Sequence, residues 1–160
     1  MWRFVLICAG ICYSSWLWSE PLVLTENGHY RLAPNISFHI DESQQLTLDD
    51  LLDLNAQIPW QDNGSEDPNF GFLSSPVWLK IPIVNHNTRV DDWALEIAYP
   101  QLDNLEIYFV NQQNELLDNF TGGDHHPVTS QRISHPHLVF PAKLVPFEPV
   151  TLYIKAHTEG

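Results

Sequence analysis

The chain has 160 residues, 44% hydrophobic and 17% charged, and its 7 lysines and arginines face 20 aspartates and glutamates for a formal net charge of −13. Six tryptophans, five tyrosines and eight phenylalanines supply material for a core and exclude a disordered chain. So acidic a surface repels phosphate backbones, which argues against nucleic acid as a partner and leaves cations and neutral polar ligands such as sugars.

Residues 1–19 read as an address. Arg3 is followed by an uncharged, mostly apolar run from Phe4 to Trp18, the layout of a secretory signal, with Ser19 as the expected cleavage position. The run falls short of the roughly 20 residues that span a bilayer comfortably, and Glu20 and Pro21 break it. An uncleaved anchor, with Trp16 and Trp18 at the membrane interface, is the alternative. Cys8 and Cys12 both lie in this segment, so the remaining domain, 20–160, is expected to hold by packing alone in the periplasm or outside the cell. The sequons at Asn35, Asn63 and Asn119 are chance matches if the envelope is bacterial.

Beyond residue 20, alternation dominates. Ile36, Phe38 and Ile40 form one apolar row; Val77, Leu79, Ile81 and Ile83 a second; Trp93, Leu95, Ile97 and Tyr99 a third. Leu105, Ile107 and Phe109 follow, and Val150, Leu152, Ile154 and Ala156 complete the set. A period of two with one apolar face predicts half-buried strands. The polar group Asn111–Asn114 predicts a hairpin turn, and Pro82, lacking an N–H, predicts an edge strand or a bulge. The exception is Thr47–Leu52, where a hydroxyl cap, a carboxylate three residues on and Leu48, Leu51 and Leu52 at helical spacing predict one short helix over an open end of the sandwich. Stretches 59–69 and 122–130 predict exposed loops. The expected fold is therefore all-β, an antiparallel β-sandwich of jelly-roll or immunoglobulin-like type with one short helix.

Ligand chemistry concentrates in the loop holding Trp60, Asp62, Asp67, Asn69, Phe70 and Phe72 and in Trp78 just beyond it. Aromatic rings beside amides and carboxylates suit a sugar, whose C–H faces stack while its hydroxyls bond to Asp and Asn. Phe70 and Phe72 read better as plugs of the core. The expected ligand residues are Trp60, Asp67, Asn69 and Trp78, joined from neighbouring strands by Tyr99, Arg132 and His137. Asp62, Glu66 and Asp67 also crowd oxygen ligands as a calcium site would, although the spacing matches no EF-hand. His135 and His137, with Asp124, His125 and His126, fit either a zinc site or a solvated histidine-rich loop, and the second reading is preferred. No nucleophile elbow, phosphate loop or H-E-x-x-H occurs, and Asp49/Asp50 and Asp91/Asp92 read as solvated pairs, so neither catalysis nor a cofactor other than calcium is expected.

The series Asp67-Pro68-Asn69-Phe70-Gly71-Phe72, Val77-Trp78-Leu79-Lys80, Tyr99-Pro100, Leu105-Glu106-Ile107-Tyr108, Val139-Phe140-Pro141 and Leu152-Tyr153-Ile154-Lys155 resembles the type 2 extracellular domain of bacterial seven-transmembrane receptors with diverse intracellular signalling modules. The resemblance runs from Leu24 to Gly160. It implies a jelly roll similar to carbohydrate-binding modules, lying in the periplasm ahead of seven membrane helices and a cyclase or kinase output, and sensing a carbohydrate or other small ligand. The expected object is that sensor domain without its membrane and output modules, attached to a membrane only through a missing C-terminal region or an uncleaved signal. A calcium-responsive sensor and a structural or partner-binding envelope domain, homodimeric or otherwise, remain as alternatives.

Overall fold

The computed structural model describes residues 20–158 apart from 27, 65, 72–73, 99–101 and 124–137. Nine strands are present among them: β1 (Leu22–Leu24), β2 (Ser37–Ile40), β3 (Gln61–Asp62), β4 (Val77–Asn85), β5 (Asp92–Ile97), β6 (Asn104–Asn111), β7 (Leu116–Gly122), β8 (Leu138–Lys143) and β9 (Pro149–His157). A 3-10 turn at Ala33–Asn35 and one helix, α1 (Leu48–Leu52), complete the described elements. Seven strands form one sheet in the order β3-β2-β4-β9-β6-β7, with β1 alongside β4 beyond the end of β2. Strands β5 and β8 form a second sheet.

The alternating rows account for this arrangement. Leu79, Ile154 and Ile107 stand in register across β4, β9 and β6, as do Ile81, Leu152 and Phe109. They meet Leu95 of β5 and Leu138, Phe140 and Ala142 of β8 in one core, so the two sheets are the layers of an all-β sandwich. Ile81, Ile107 and Leu152 are fully excluded from solvent, and burial on this scale, about 2 kcal/mol per large side chain, is the main stabilising contribution. Phe120 packs against both Phe109 and Phe140 and closes the core under β7.

Pairing is antiparallel throughout except for β1, which runs parallel to β4. Pro82 lies in neither an edge strand nor a bulge: β4 is interior, and its register with β9 runs unbroken through Pro82 opposite Thr151. The reason is local. On the other side of β4, β2 pairs with Val77–Lys80 and β1 with Ile83–Asn85, so Ile81 and Pro82 fall in the gap between two short partners. The hairpin at Asn111–Asn114 is as expected. Asn111 Oδ1 accepts from the backbone N–H groups of Gln113 and Glu115, and the ladder shifts by one between Phe109 and Val110. At the far end of β7 only glycine fits position 123: φ is +117°, and a Cβ there would stand 2.2 Å from the Asp103 carbonyl oxygen.

The helix forms where expected, but elsewhere in space. Thr47 and Asp50 make a reciprocal capping box, while Leu48, Leu51 and Leu52 pack on Trp78, Val110 and Tyr153. These belong to the face of the large sheet opposite the core, so α1 lies on the sheet's outer face and not over an open end. Phe70 is part-buried and packs at 5.0 Å, tilted, on Phe38; Phe72 lies outside the described residues.

Candidate functional site

Two-residue periodicity sends every second side chain of β2, β4, β9 and β6 away from the core. In register, these form two rows on the outer face: His39, Trp78, Lys155 and Glu106, then Ser37, Lys80, Tyr153 and Tyr108. The result is a checkerboard of rings and charges, uncommon for the solvent side of a sheet. Trp78 is wholly buried and stacks on Tyr108 at 6.2 Å with planes 23° apart. Lys155 Nζ sits 5.2 Å from the Trp78 ring centre and donates to the Leu46 carbonyl at 3.0 Å. Tyr108 donates a short hydrogen bond to the Glu106 carboxylate. Burial, then that bond and the charge of Glu106, push the Tyr108 phenol far above its usual range. Burial alone pushes Tyr153 up to about 12.

Trp60 arrives from the loop after α1 and roofs one corner. Its ring lies 6.3 Å from Tyr153 and 6.3 Å, edge-on, from His39, with Lys80 Nζ 5.5 Å from its centre. Trp60, His39, Lys80 and Tyr108 are all part-exposed. Burial lowers the pKa of Lys80. Beneath, the Trp78 indole N–H is buried without an acceptor among the described residues, an unspent donor in the floor.

Asp41 holds this assembly at its rim. It is 1% exposed, and its carboxylate accepts from Ser43 Oγ at 2.5 Å and from the Leu46 N–H at 2.9 Å. Burial acts to raise its pKa, but the bonds from Ser43 and the backbone, with the charge of Lys155, outweigh it and leave the carboxyl below its usual value. Segment 41–46, which delivers α1, is thereby pinned to β9. At the other end of α1, Asn114 of the hairpin donates to the Leu52 carbonyl at 3.1 Å.

Of the expected ligand residues, the structure brings Trp60 and Trp78 into this cluster and leaves two others apart from it. Trp78 offers no exposed stacking face, because it is buried beneath Lys155 and beside Tyr108; it supports the floor. Asp67 pairs with Arg31 at 2.8 Å, both side chains exposed. Asn69 accepts from the Gly71 N–H in a local turn. Tyr99, Arg132 and His137 lie outside the described residues, as do Asp124, His125, His126 and His135. Among the described residues no three His, Cys, Asp or Glu side chains converge as metal ligands, and the three carboxylates of the calcium reading are placed separately. Asp62 bonds the Gly64 N–H at 2.7 Å, and Asp67 turns to Arg31.

His39, Lys80, Glu106, Tyr108, Tyr153 and Lys155 were not anticipated by the sequence. Their signal was present as the complement of each apolar row: once one face of β4 and β9 is assigned to the core, Trp78, Lys80, Tyr153 and Lys155 must share the other. A depression of about 360 Å³, open to solvent, lies at the β1–β4 end between Glu26, His86, Thr88 and Arg89. It carries no comparable aromatic roof. No helix among the described residues is long and apolar enough to cross a membrane. The family model described as 7TMR-DISM extracellular 2 matches residues 33–160, which include every element of the outer-face cluster. A search among curated proteins finds no match to the chain.

Proposed function

Since the chain belongs to the 7TMR-DISM extracellular 2 family, a receptor sensor domain with a periplasmic location in bacteria and not a known enzyme family, we propose that it recognises a carbohydrate or similar small polar ligand on the outer face of its large sheet, at the corner roofed by Trp60. The observation that carries this reading is the part-exposed indole of Trp60 held against Tyr153, His39 and Lys80. An aromatic ring fixed from below can stack on the C–H face of a sugar, while ammonium, imidazole and phenol groups around it supply hydrogen bonds. Each stacking contact is worth about 1 kcal/mol beyond area burial, so affinity is modest, as suits a sensor that must release its signal.

Intrinsic fluorescence against a saccharide panel tests the reading. Quenching or a blue shift with at least one sugar, lost in Trp60→Ala while the melting transition persists, is the expected result. A full panel without response, in a protein whose melting temperature no sugar raises, would overturn it.

A second reading has its own observation. Leu54 is 92% exposed beside α1, and Leu116 and Leu117 lie open on the edge strand β7 next to the hairpin that bonds α1. Such a patch suits a protein partner or a second copy of the chain. A concentration-dependent dimer that Leu116→Lys abolishes would favour it.

A further inference from the structure

We propose a second ligand site, separate from the Trp60 corner, in the depression at the β1–β4 end: it takes a free α-amino acid, with the ligand's carboxylate on Arg89, its ammonium on Glu26 and an apolar side chain against His86 and Phe147. The depression, about 360 Å³, falls near the lower end of the roughly 300–1,000 Å³ range of ligand pockets, which suits so small a molecule. Its two walls come from distant parts of the chain. Thr25 and Glu26 follow β1, and His86 to Val90 follow β4. Because these two strands run parallel, with Leu24 opposite Asn85, both deliver their carboxyl ends to the same place.

Both walls are built before any ligand arrives. Asn85 is 0% exposed; its amide donates to the carbonyls of Val90 and Leu144, both at 2.7 Å, and its Oδ1 accepts from the Asn87 N–H at 2.9 Å. Asn87 Oδ1 in turn accepts from the Arg89 N–H at 2.9 Å, so the loop is two successive side-chain turns hung from one buried amide. On the other wall the Tyr30 hydroxyl accepts from the N–H groups of Thr25 and Glu26 and donates to the Glu26 carbonyl at 3.1 Å. The Tyr30 ring is itself set edge-on against Trp93 at 5.8 Å. The His86 N–H donates to the Leu24 carbonyl at 2.7 Å and ties one wall to the other. Backbone groups and these anchors make every one of the bonds, and the charged ends of Glu26 and Arg89 take no part in them.

The ligand class follows from the charges and from one strained ring. Glu26 and Arg89 are exposed and line one depression, yet among the described residues they form no ion pair with each other. Arg31, by contrast, pairs with Asp67 and Lys143 with Asp91. Opposite charges that border one cavity without meeting are complementary to a molecule carrying both charges itself, and an α-amino acid is the smallest of that kind. A guanidinium meets a carboxylate with two parallel N–H···O bonds, and a carboxylate accepts from an ammonium. A simple anion or a simple cation fits less well, since each is brought close to its own sign. Phe147 supplies the apolar side. It is 60% exposed, its ring packs on His86 at 5.5 Å, and its φ of +66° is strained for a bulky residue. Its N–H donates to the Asn85 carbonyl at 2.7 Å, so the residue that anchors the loop also fixes this turn. An exposed ring kept at a conformational cost against a lining residue is a surface for an apolar group.

NMR titration of the full chain with L-phenylalanine, L-phenylalaninamide and N-acetyl-L-phenylalanine tests this, because the amide removes the carboxylate charge and the acetyl group the ammonium. At about pH 6 the amino group of the first two is protonated and Glu26 is ionised. The free amino acid is expected to bind about fivefold more tightly than either derivative, the increment of one exposed charge-assisted contact, with the backbone signals of His86 to Arg89 moving. Arg89→Gln should erase the preference over the amide and keep that over the acetyl derivative, and Glu26→Gln should do the reverse. Both side chains are exposed, so neither change endangers the fold. Phe147→Gly, which relieves the strained φ, should keep the fold and weaken L-phenylalanine by a similar factor. Equal binding of the three compounds, or preferences that survive both charge substitutions, overturns the zwitterion. Undiminished binding in Phe147→Gly overturns the apolar half. Binding that Trp60→Ala abolishes overturns the placement, and no binding of any of the three overturns the inference outright. None of these failures touches the saccharide reading, whose own test rests on Trp60.

Discussion

The two faces of the large sheet are made by the same strands and do opposite things. On the inner face, Ile81, Ile107 and Leu152 join Phe120 and Phe140 in an aliphatic and aromatic layer closed by β5 and β8. On the outer face, the alternate residues of those strands are Trp78, Lys80, Tyr108, Tyr153 and Lys155, covered among the described residues by a five-residue helix and a loop. The inner layer gains most of its stability by excluding water from groups that need no partner, although Trp93, packed against it, also buries an indole N–H without an acceptor among the described residues. The outer layer must satisfy or shield each polar atom, and leaves at least one buried donor, the Trp78 N–H, unsatisfied. On the site proposed above, stability and recognition would be divided across one sheet thickness.

The division is broken most directly from the inner side. Leu152→Ala, in the central strand and fully buried, should cost about 2–5 kcal/mol in urea denaturation and take ligand binding with it as the fold is lost. Asp41→Asn attacks the hinge between the faces and should cost about 1–3 kcal/mol, since the Leu46 N–H and Ser43 hydroxyl lose a charged acceptor. Because the native carboxyl of Asp41 is held below its unfolded value, its contribution is present above about pH 4 and disappears as pH falls through the native value. The parent should therefore lose stability on acidification that the variant never had, visible in denaturation curves recorded at falling pH.

At the alkaline end the outer face responds through its buried tyrosines. Tyr153, raised to about 12, contributes stability that is whole below the unfolded tyrosine value of about 10 and is lost between there and about 12. Tyr153→Phe should flatten that loss, whereas substitutions among the aliphatic residues of the inner layer should shift the curve without changing its slope with pH. Trp60→Ala sharpens the contrast further: about 1 kcal/mol of stability, with ligand binding abolished. The smallest effect is expected from Thr47→Ala, about 1 kcal/mol or less from the lost helix cap, measured by thermal melting. It would loosen α1 over Tyr153 and leave the inner core untouched.

How far the sequence discloses all this varies by element. The rows through Val77–Ile83 and Val150–Ala156 declare their inner face because apolar side chains recur at the sheet period. They hide that the opposite face is also buried in part, because Trp78 and Tyr153 look like ordinary strand residues until α1 is placed on them. The cap and leucines of α1 are legible, since they depend on residues three and four apart. Its destination is not, because three leucines fit any apolar surface. The loop around Trp60 and Asp67 reads as one constellation along the chain. In space, the pull of Arg31 on Asp67 and the packing of Trp60 on Tyr153 divide it. Lys80 and Lys155 become part of a site only through the register of β4 with β9, and register is a long-range property that no local pattern carries.

The strand order carries a further consequence. β9, the last of the described strands in sequence order, lies between β4 and β6, near the middle of the large sheet. As the polypeptide emerges amino-end first, β4 and β6 each carry a ladder edge whose partner, β9, is not yet made. Both edges stay open until β9 arrives to zip them together, so whatever shields them in that interval bears on how the domain matures.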